Sequence, residues 1–157
     1  MRTLITAALA GVTALGFASS ASAYHFIHPV NRPFGITGSL TVTAAAVSLP
    51  CTANFNATTV GTGATITSAS FSGVSCAALT ASGLPWPVTI AGLHSIKIHN
   101  VAVSAVVLGV CGPGDVKAQL NATGKIVIAG AGLPGLVPCS VSATLDSKPN
   151  LKIGGHR

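Results

Sequence analysis

The sequence is poor in charged residues, above all in acidic ones. Charged residues make up 6% of the 157 residues, whereas about 25% is usual in a soluble domain. Glutamate is absent, so Asp115 and Asp146 provide the only carboxylate side chains. Both lie next to Gly or Pro stretches that predict solvated turns. With no Gly-x-Ser-x-Gly elbow either, the sequence predicts a protein that is not an enzyme.

The basic residues do not cluster, although the formal net charge is +6. A nucleic-acid surface usually has a basic stripe or aromatic stacking platforms, and aromatic residues are only 4% of this chain. We therefore predict no nucleic-acid partner. The basic residues after the N-terminal region are Arg32, Lys97, Lys117, Lys125, Lys148, Lys152 and Arg157.

Long apolar runs are missing except at the N-terminus. Met1 and Arg2 precede an apolar run from Leu4 to Phe17, and Ala21-Ser22-Ala23 forms a small-x-small cleavage site. This pattern predicts a signal peptide over residues 1–23 and a secreted protein that begins at Tyr24. The mature chain has no segment long and apolar enough to be a transmembrane span. We predict an extended arm over residues 24–37 and a single domain over residues 38–157.

No helical period of useful length occurs in the mature chain. Short stretches with period-two alternation are separated by Gly- and Pro-rich turns, as in Leu40 and Val42 or in Val141, Ala143 and Leu145. Such strands predict an all-β fold. We expect an antiparallel β-sandwich of the immunoglobulin-like or jelly-roll-like type. Between Ile98 and Val101 the alternation changes phase, which predicts either a β-bulge at Asn100 or two strands joined by a sharp bend.

The four cysteines are Cys51, Cys76, Cys111 and Cys139. An even number in an exported chain predicts two disulfides. Three connectivities are open, and Cys51–Cys76 with Cys111–Cys139 is favoured because each pair brackets one predicted hairpin. The cysteines are far apart and form no Cys-x-x-Cys motif, so we predict no metal site and no cofactor.

The only tryptophan, Trp86, stands between two prolines in Gly83-Leu84-Pro85-Trp86-Pro87. Proline fixes its own backbone angle and pushes the residue before it into an extended conformation. Trp86 is therefore expected at a stiff strand entry. We favour a packing anchor beside the first disulfide, and the alternative is an exposed aromatic contact.

The predicted strands present Ser, Thr and Ala where most soluble sheets present Lys and Glu. Such a weakly charged exterior predicts contact with hydrophobic surfaces or hydrocarbons, contact with matrix polymers, or self-association.

Several short motifs occur in an order that resembles the secreted alkane-oxidation activators of the PraA/PraB type. They are Leu49-Pro50-Cys51, the "ITSASFSG" stretch before Cys76, Gly83 to Trp86, Cys111 to Gly114, and Pro138 to Ser140. The resemblance spans about residues 38–145. It implies an exported, non-enzymatic protein linked to growth on hydrocarbons through emulsification or uptake, and to the extracellular biofilm matrix. It implies no catalytic residues.

We therefore expect a secreted protein that assists alkane uptake or oxidation through surface activity, or acts as an adhesin of the biofilm matrix. The rival hypothesis is a fimbrial-type subunit, in which the arm of residues 24–34 adds a strand to the sheet of a neighbouring copy.

Overall fold

The computed structural model describes residues 24–155, so the predicted signal peptide lies outside the described residues. This part of the chain contains strands and no helix, which confirms the all-β prediction. The strands are β1 (His25–His28), β2 (Pro33–Ala44), β3 (Val47–Val60), β4 (Gly63–Ser72), β5 (Thr80–Ser82), β6 (Trp86–Gly92), β7 (Ser95–Ala105), β8 (Gly109–Leu120), β9 (Lys125–Leu133), β10 (Cys139–Lys148) and β11 (Lys152–Gly154).

Eight of these strands form one closed antiparallel barrel. In the order β2, β3, β4, β6, β7, β8, β9 and β10, each strand pairs with the next, and β10 pairs back with β2. The closing ladder runs from Cys139 opposite Ala44 to Lys148 opposite Gly35. Short β5 pairs with the end of β7 beyond the segment that β6 covers. Neighbours in the barrel are therefore neighbours in sequence, which is the up-and-down topology.

The predicted sandwich is thus replaced by a barrel. The local alternation that indicates a half-buried strand is the same in both architectures, because each has one apolar and one polar face. The pairing of β2 with β10 decides between them, and it joins segments far apart in sequence. Gly38 permits this closure, because a Cβ at Gly38 would overlap the carbonyl oxygen of Thr144 on β10.

The barrel interior is filled by alternate residues of each strand. The predicted inward set on β10, Val141, Ala143 and Leu145, is buried, as are Val116 and Ala118 on β8. The phase change in β7 is a β-bulge. Asn100 has a positive φ of 60°, and the β7–β8 register shifts between Ile98 and Val101.

Both disulfides are present, in the favoured pairing. Cys51 on β3 is bonded to Cys76, and Cys111 on β8 is bonded to Cys139 on β10. Each bond brackets a hairpin, β3–β4 in the first case and β8–β9 in the second.

The N-terminal segment is docked on the same chain. Strand β1 pairs with β11 in a separate two-stranded ribbon, and Phe26 is buried. The first barrel strand begins at Pro33, inside the segment predicted as an arm, whereas the predicted domain begins at residue 38. The ribbon holds both ends of the described chain at one end of the barrel.

Candidate functional site

The up-and-down topology gives the barrel two unlike ends. Successive strands alternate in direction, so connections alternate between the ends. One end, here called the rim, consists of residues 45–46, 73–85, 106–108 and 134–138. The other end, here called the base, consists of residues 61–62, 93–94 and 121–124 with the terminal segments 24–32 and 149–155. The two ends can therefore be compared residue by residue.

The rim contains no charged residue and no histidine. All charged residues of the described chain lie in the strands or at the base: Arg32, Lys97, Asp115, Lys117, Lys125, Asp146, Lys148 and Lys152. Apolar side chains are exposed on three of the four rim connections: Val74, Val106, Val107, Leu136 and Val137. Val110, just beyond the third connection, is also exposed. The rim is thus an uncharged surface on which several branched aliphatic side chains are exposed.

The base differs because its apolar side chains are mixed with polar and charged groups. Ile27, Val30 and Leu93 are exposed there, and so is Val60 at the adjoining end of β3. His28, Arg32, His94 and Lys152 belong to the same segments. A cleft of about 310 Å³ at the base is lined by Ile27, Leu93, His94, Leu120, Asn121, Ala122, Lys152 and Ile153.

The barrel interior offers little room for a ligand. One apolar cavity measures about 40 Å³ and lies among residues such as Leu40, Phe55, Trp86 and Val116. A second, of about 20 Å³, lies beside Phe34 and Leu151. An apolar cavity of about 150 Å³ is known to hold benzene, so both cavities are too small for a hydrocarbon chain. Eight strands enclose a space that side chains can fill, and here they do so. Contact with hydrocarbons in this conformation would have to use the outer surface.

Trp86 lies at the start of β6 and is 2% exposed. Its ring packs against Phe55, with centroids 6.3 Å apart. Its indole Nε1–H donates a hydrogen bond to the carbonyl oxygen of Ser82 at 3.0 Å. The ring therefore packs in the core, and its one polar group fixes the end of the rim connection.

On the outer wall, a hydroxyl, an imidazole and a carboxylate group lie in a row across β6, β7 and β8. Thr89 Oγ1 lies 2.7 Å from His99 Nε2, and His99 Nδ1 lies 3.3 Å from Asp115 Oδ1. Asp115 Oδ1 also accepts a hydrogen bond from the backbone N–H of Asn100 at 3.4 Å. Hydrolase triads have the same order of groups. They also need an oxyanion hole and a substrate cleft, whereas these side chains lie on the convex outer face and line none of the cavities described above.

Two lysines lie beside this group. Lys97 on β7 is directly opposite Lys117 on β8, and Thr89 is opposite Lys97 on the other side. Their strand neighbours Ile96, Ile98, Val116 and Ala118 are buried, so both lysines point outward.

The placement of the two aspartates corrects the sequence prediction. Asp115 lies within β8 and Asp146 within β10, so neither is a turn residue. The carboxylate of Asp146 lies 3.7 Å from Lys125 Nζ, and that of Asp115 approaches His99. The sequence did not reveal the Thr89–His99–Asp115 group, because strand register brings these residues together. The alternation seen along β6, β7 and β8 places each of them outward, but alternation alone does not say which outward residues come together.

In residues 24–155, no group of three or more His, Cys, Asp or Glu side chains is arranged to hold a metal ion. The same residues include no helix of the length and apolarity that crossing a membrane requires.

Comparison with known proteins identifies a family. None of the curated proteins matches the chain significantly, and neither does any solved structure. A family model described as "Alkane oxidation protein activator PraA/PraB-like" matches residues 1–154, which is nearly the whole chain and includes every strand of the barrel. The protein therefore belongs to the PraA/PraB-like family of alkane oxidation protein activators.

Proposed function

We propose that this protein is exported, is not an enzyme, and acts directly at hydrocarbon–water surfaces, with the rim in contact with oil and the base in water. The observation that carries the proposal is the absence of charge from all four rim connections, together with the exposed aliphatic side chains on three of them. The family description, which refers to alkane oxidation, supports the same substrate class.

The energetics of transfer favour this orientation. Moving a Val or Leu side chain fully out of water contributes about 1.5–3 kcal/mol. Several such side chains on one surface could therefore supply enough free energy for stable adsorption. Desolvating a charge is far more costly than desolvating a peptide or hydroxyl group. The base, with Arg32 and Lys152, is thus expected to stay in water. The barrel axis would then be roughly perpendicular to the oil surface.

The small interior cavities separate this mechanism from a carrier mechanism. A carrier would enclose the alkane, whereas the packed barrel leaves cavities of only about 40 and 20 Å³. We propose that the protein coats or disperses hydrocarbon and so increases the surface from which cells take it up.

The fimbrial alternative is less well supported by the geometry. Strand addition needs a free arm and a free sheet edge. Here β1 is paired with β11 of the same chain, and each of the eight barrel strands already has two neighbours, so the strands with an open side among the described residues are the short β1, β5 and β11. Deleting residues 24–32 would separate the hypotheses, because a polymerising subunit would become monomeric and an interfacial protein would keep its activity.

The direct test compares two valines of equal exposure at opposite ends. Val107 on the rim is 64% exposed, and Val60 at the end of β3 beside the base is 63% exposed. The measured quantity is the concentration of purified, oxidised protein that lowers oil–water interfacial tension by a fixed amount. We expect Val107→Lys to raise this concentration about tenfold. Val60→Lys adds the same charge and should change it less than twofold. Equal losses in the two variants, or no activity in the unmodified protein beyond a soluble control of similar size, would refute the proposal.

A further inference from the structure

Two lysines of the barrel wall face each other without any acidic partner. Lys97 and Lys117 are directly opposite in the β7–β8 ladder, where Cβ atoms are about 4.5–5.5 Å apart. Like charges in this position destabilise a sheet. In a chain with so few charged residues, this placement calls for an explanation other than folding.

The nearby carboxylates do not neutralise the pair. Among the described residues, Asp146 is paired with Lys125, and Asp115 is held by His99 and by the backbone N–H of Asn100. Neither aspartate makes an ion pair with Lys97 or Lys117 within residues 24–155. The Thr89–His99–Asp115 contacts thus engage one oxygen of the adjacent carboxylate, and the two ammonium groups, which make no ion pair among the described residues, remain available to an external anion.

Asp115 and His99 lie on the rim side of the pair, and the side toward the base is polar and neutral. Thr89 lies opposite Lys97, and one step toward the base Ser95 on β7 lies opposite Gln119 on β8. These side chains supply hydroxyl and amide groups that both donate and accept hydrogen bonds. Sugar hydroxyl groups need this combination. Phe, Tyr and Trp side chains, which nucleic-acid surfaces use for stacking bases, are absent from the outward positions of this face in the described β6–β8 segments.

From this arrangement we infer a binding site for an acidic polysaccharide on the outer face of β6, β7 and β8, with Lys97 and Lys117 contacting carboxylates of successive uronate-type sugars. The hydroxyl and amide groups of Thr89, Ser95 and Gln119 contact the neutral parts of the polymer. This site lies on the wall and does not rest on the proposed activity of the rim. A protein with both surfaces would link hydrocarbon droplets to a polyanionic matrix.

The test uses immobilised polygalacturonate as the probe, with neutral dextran and single-stranded DNA as comparisons. We expect Lys97→Gln/Lys117→Gln to weaken binding to polygalacturonate at least tenfold at low salt. Lys148→Gln/Lys152→Gln removes the same net charge elsewhere and should weaken it less than threefold. Equal effects of the two double variants would overturn the inference, because they would indicate non-specific attraction. Tighter binding to DNA than to polygalacturonate would also overturn it and would make a nucleic acid the occupant.

A second variant shows whether a loss of binding is caused by unfolding. Lys117→Glu places opposite charges across the ladder, so its midpoint of urea unfolding should be equal to or higher than that of the unmodified protein. The same variant should lose polygalacturonate binding at least as fully as the double Gln variant. A folded Lys117→Glu protein that binds as tightly as the unmodified one would refute the site. Interfacial tension measured on both wall variants should stay unchanged, which separates failure of this site from failure of the rim.

Discussion

Disulfide bonds hold the connections at the rim in place, whereas side-chain hydrogen bonds hold the terminal segments at the base. At the rim, the Cys51–Cys76 bond ties residues 73–85 to β3, and Cys111–Cys139 joins β8 to β10 beside residues 134–138. At the base, buried hydroxyl groups hold the terminal segments. Thr59 Oγ1 donates to the carbonyl oxygen of Pro29 at 2.8 Å, and Ser147 Oγ accepts from the backbone N–H of Leu151 at 2.7 Å.

Our proposal accounts for this difference by what each end would contact. Backbone groups of an exposed loop are normally satisfied by water, and that partner is lost where the loop meets oil. A covalent bond keeps its strength in either medium, whereas the base, which by our proposal stays in water, can rely on hydrogen bonds. The covalent ties therefore lie at the end where, by our proposal, adsorption would otherwise pull loops out of their folded positions.

The largest expected effect comes from removing the covalent ties. The two disulfides bridge sequence separations of 25 and 28 residues, for which the chain-entropy model gives about 3 kcal/mol each. We expect Cys51→Ala/Cys76→Ala to lower the free energy of unfolding by about that amount. Urea titration followed by the fluorescence of Trp86 measures it directly, because the tryptophan is buried and is the only one in the chain.

The same variant sharpens the comparison through hydrogen exchange. Protection should fall first in residues 73–85, while residues 149–155 keep theirs. Uniform loss at both ends would contradict the view that the disulfide serves the rim locally.

A smaller effect is expected from the corresponding change at the base. Ser147→Ala removes the acceptor of the Leu151 N–H, and both residues are buried. A buried donor left unpaired costs about 1–3 kcal/mol. Urea unfolding should show a loss in this range, and exchange should rise in residues 149–155. Ser140→Ala is the control, since Ser140 lies half-buried in the same strand and should stay within about 0.5 kcal/mol of the unmodified protein. A loss in the control as large as that in Ser147→Ala would remove the special role of this hydroxyl.

Features that depend on residues close together in the sequence were predicted, whereas features that depend on contacts between distant segments were not. Local patterns predicted the strands, a bulge or sharp bend at Asn100 and the hairpins that favoured the disulfide pairing. Closure of the barrel was missed, because it depends on β2 meeting β10, and Asp115 and Asp146 were misplaced in turns, because the nearby Gly and Pro residues lie within or beside strands. The uncharged rim is visible in the sequence only after the topology assigns four separate segments to one end. The Lys97–Lys117 pair likewise appears only once the register is known.

The smallest change in stability is expected where the rim is most exposed, at Leu136. Its side chain is fully exposed, so Leu136→Ser removes no burial and should change the free energy of unfolding by less than about 0.5 kcal/mol. Adsorption should respond differently, since burying a leucine in oil contributes about 1.5–3 kcal/mol, which corresponds to a tenfold or larger change in affinity. Binding of the protein to oil droplets, measured by depletion from the water phase, checks this.

Leu93→Ser makes the same substitution at the base, where Leu93 is about half-exposed, and should leave droplet binding within twofold. If both variants lost droplet binding equally, the whole surface rather than the rim would contact oil, and the two ends would differ in how they are fastened but not in what they do.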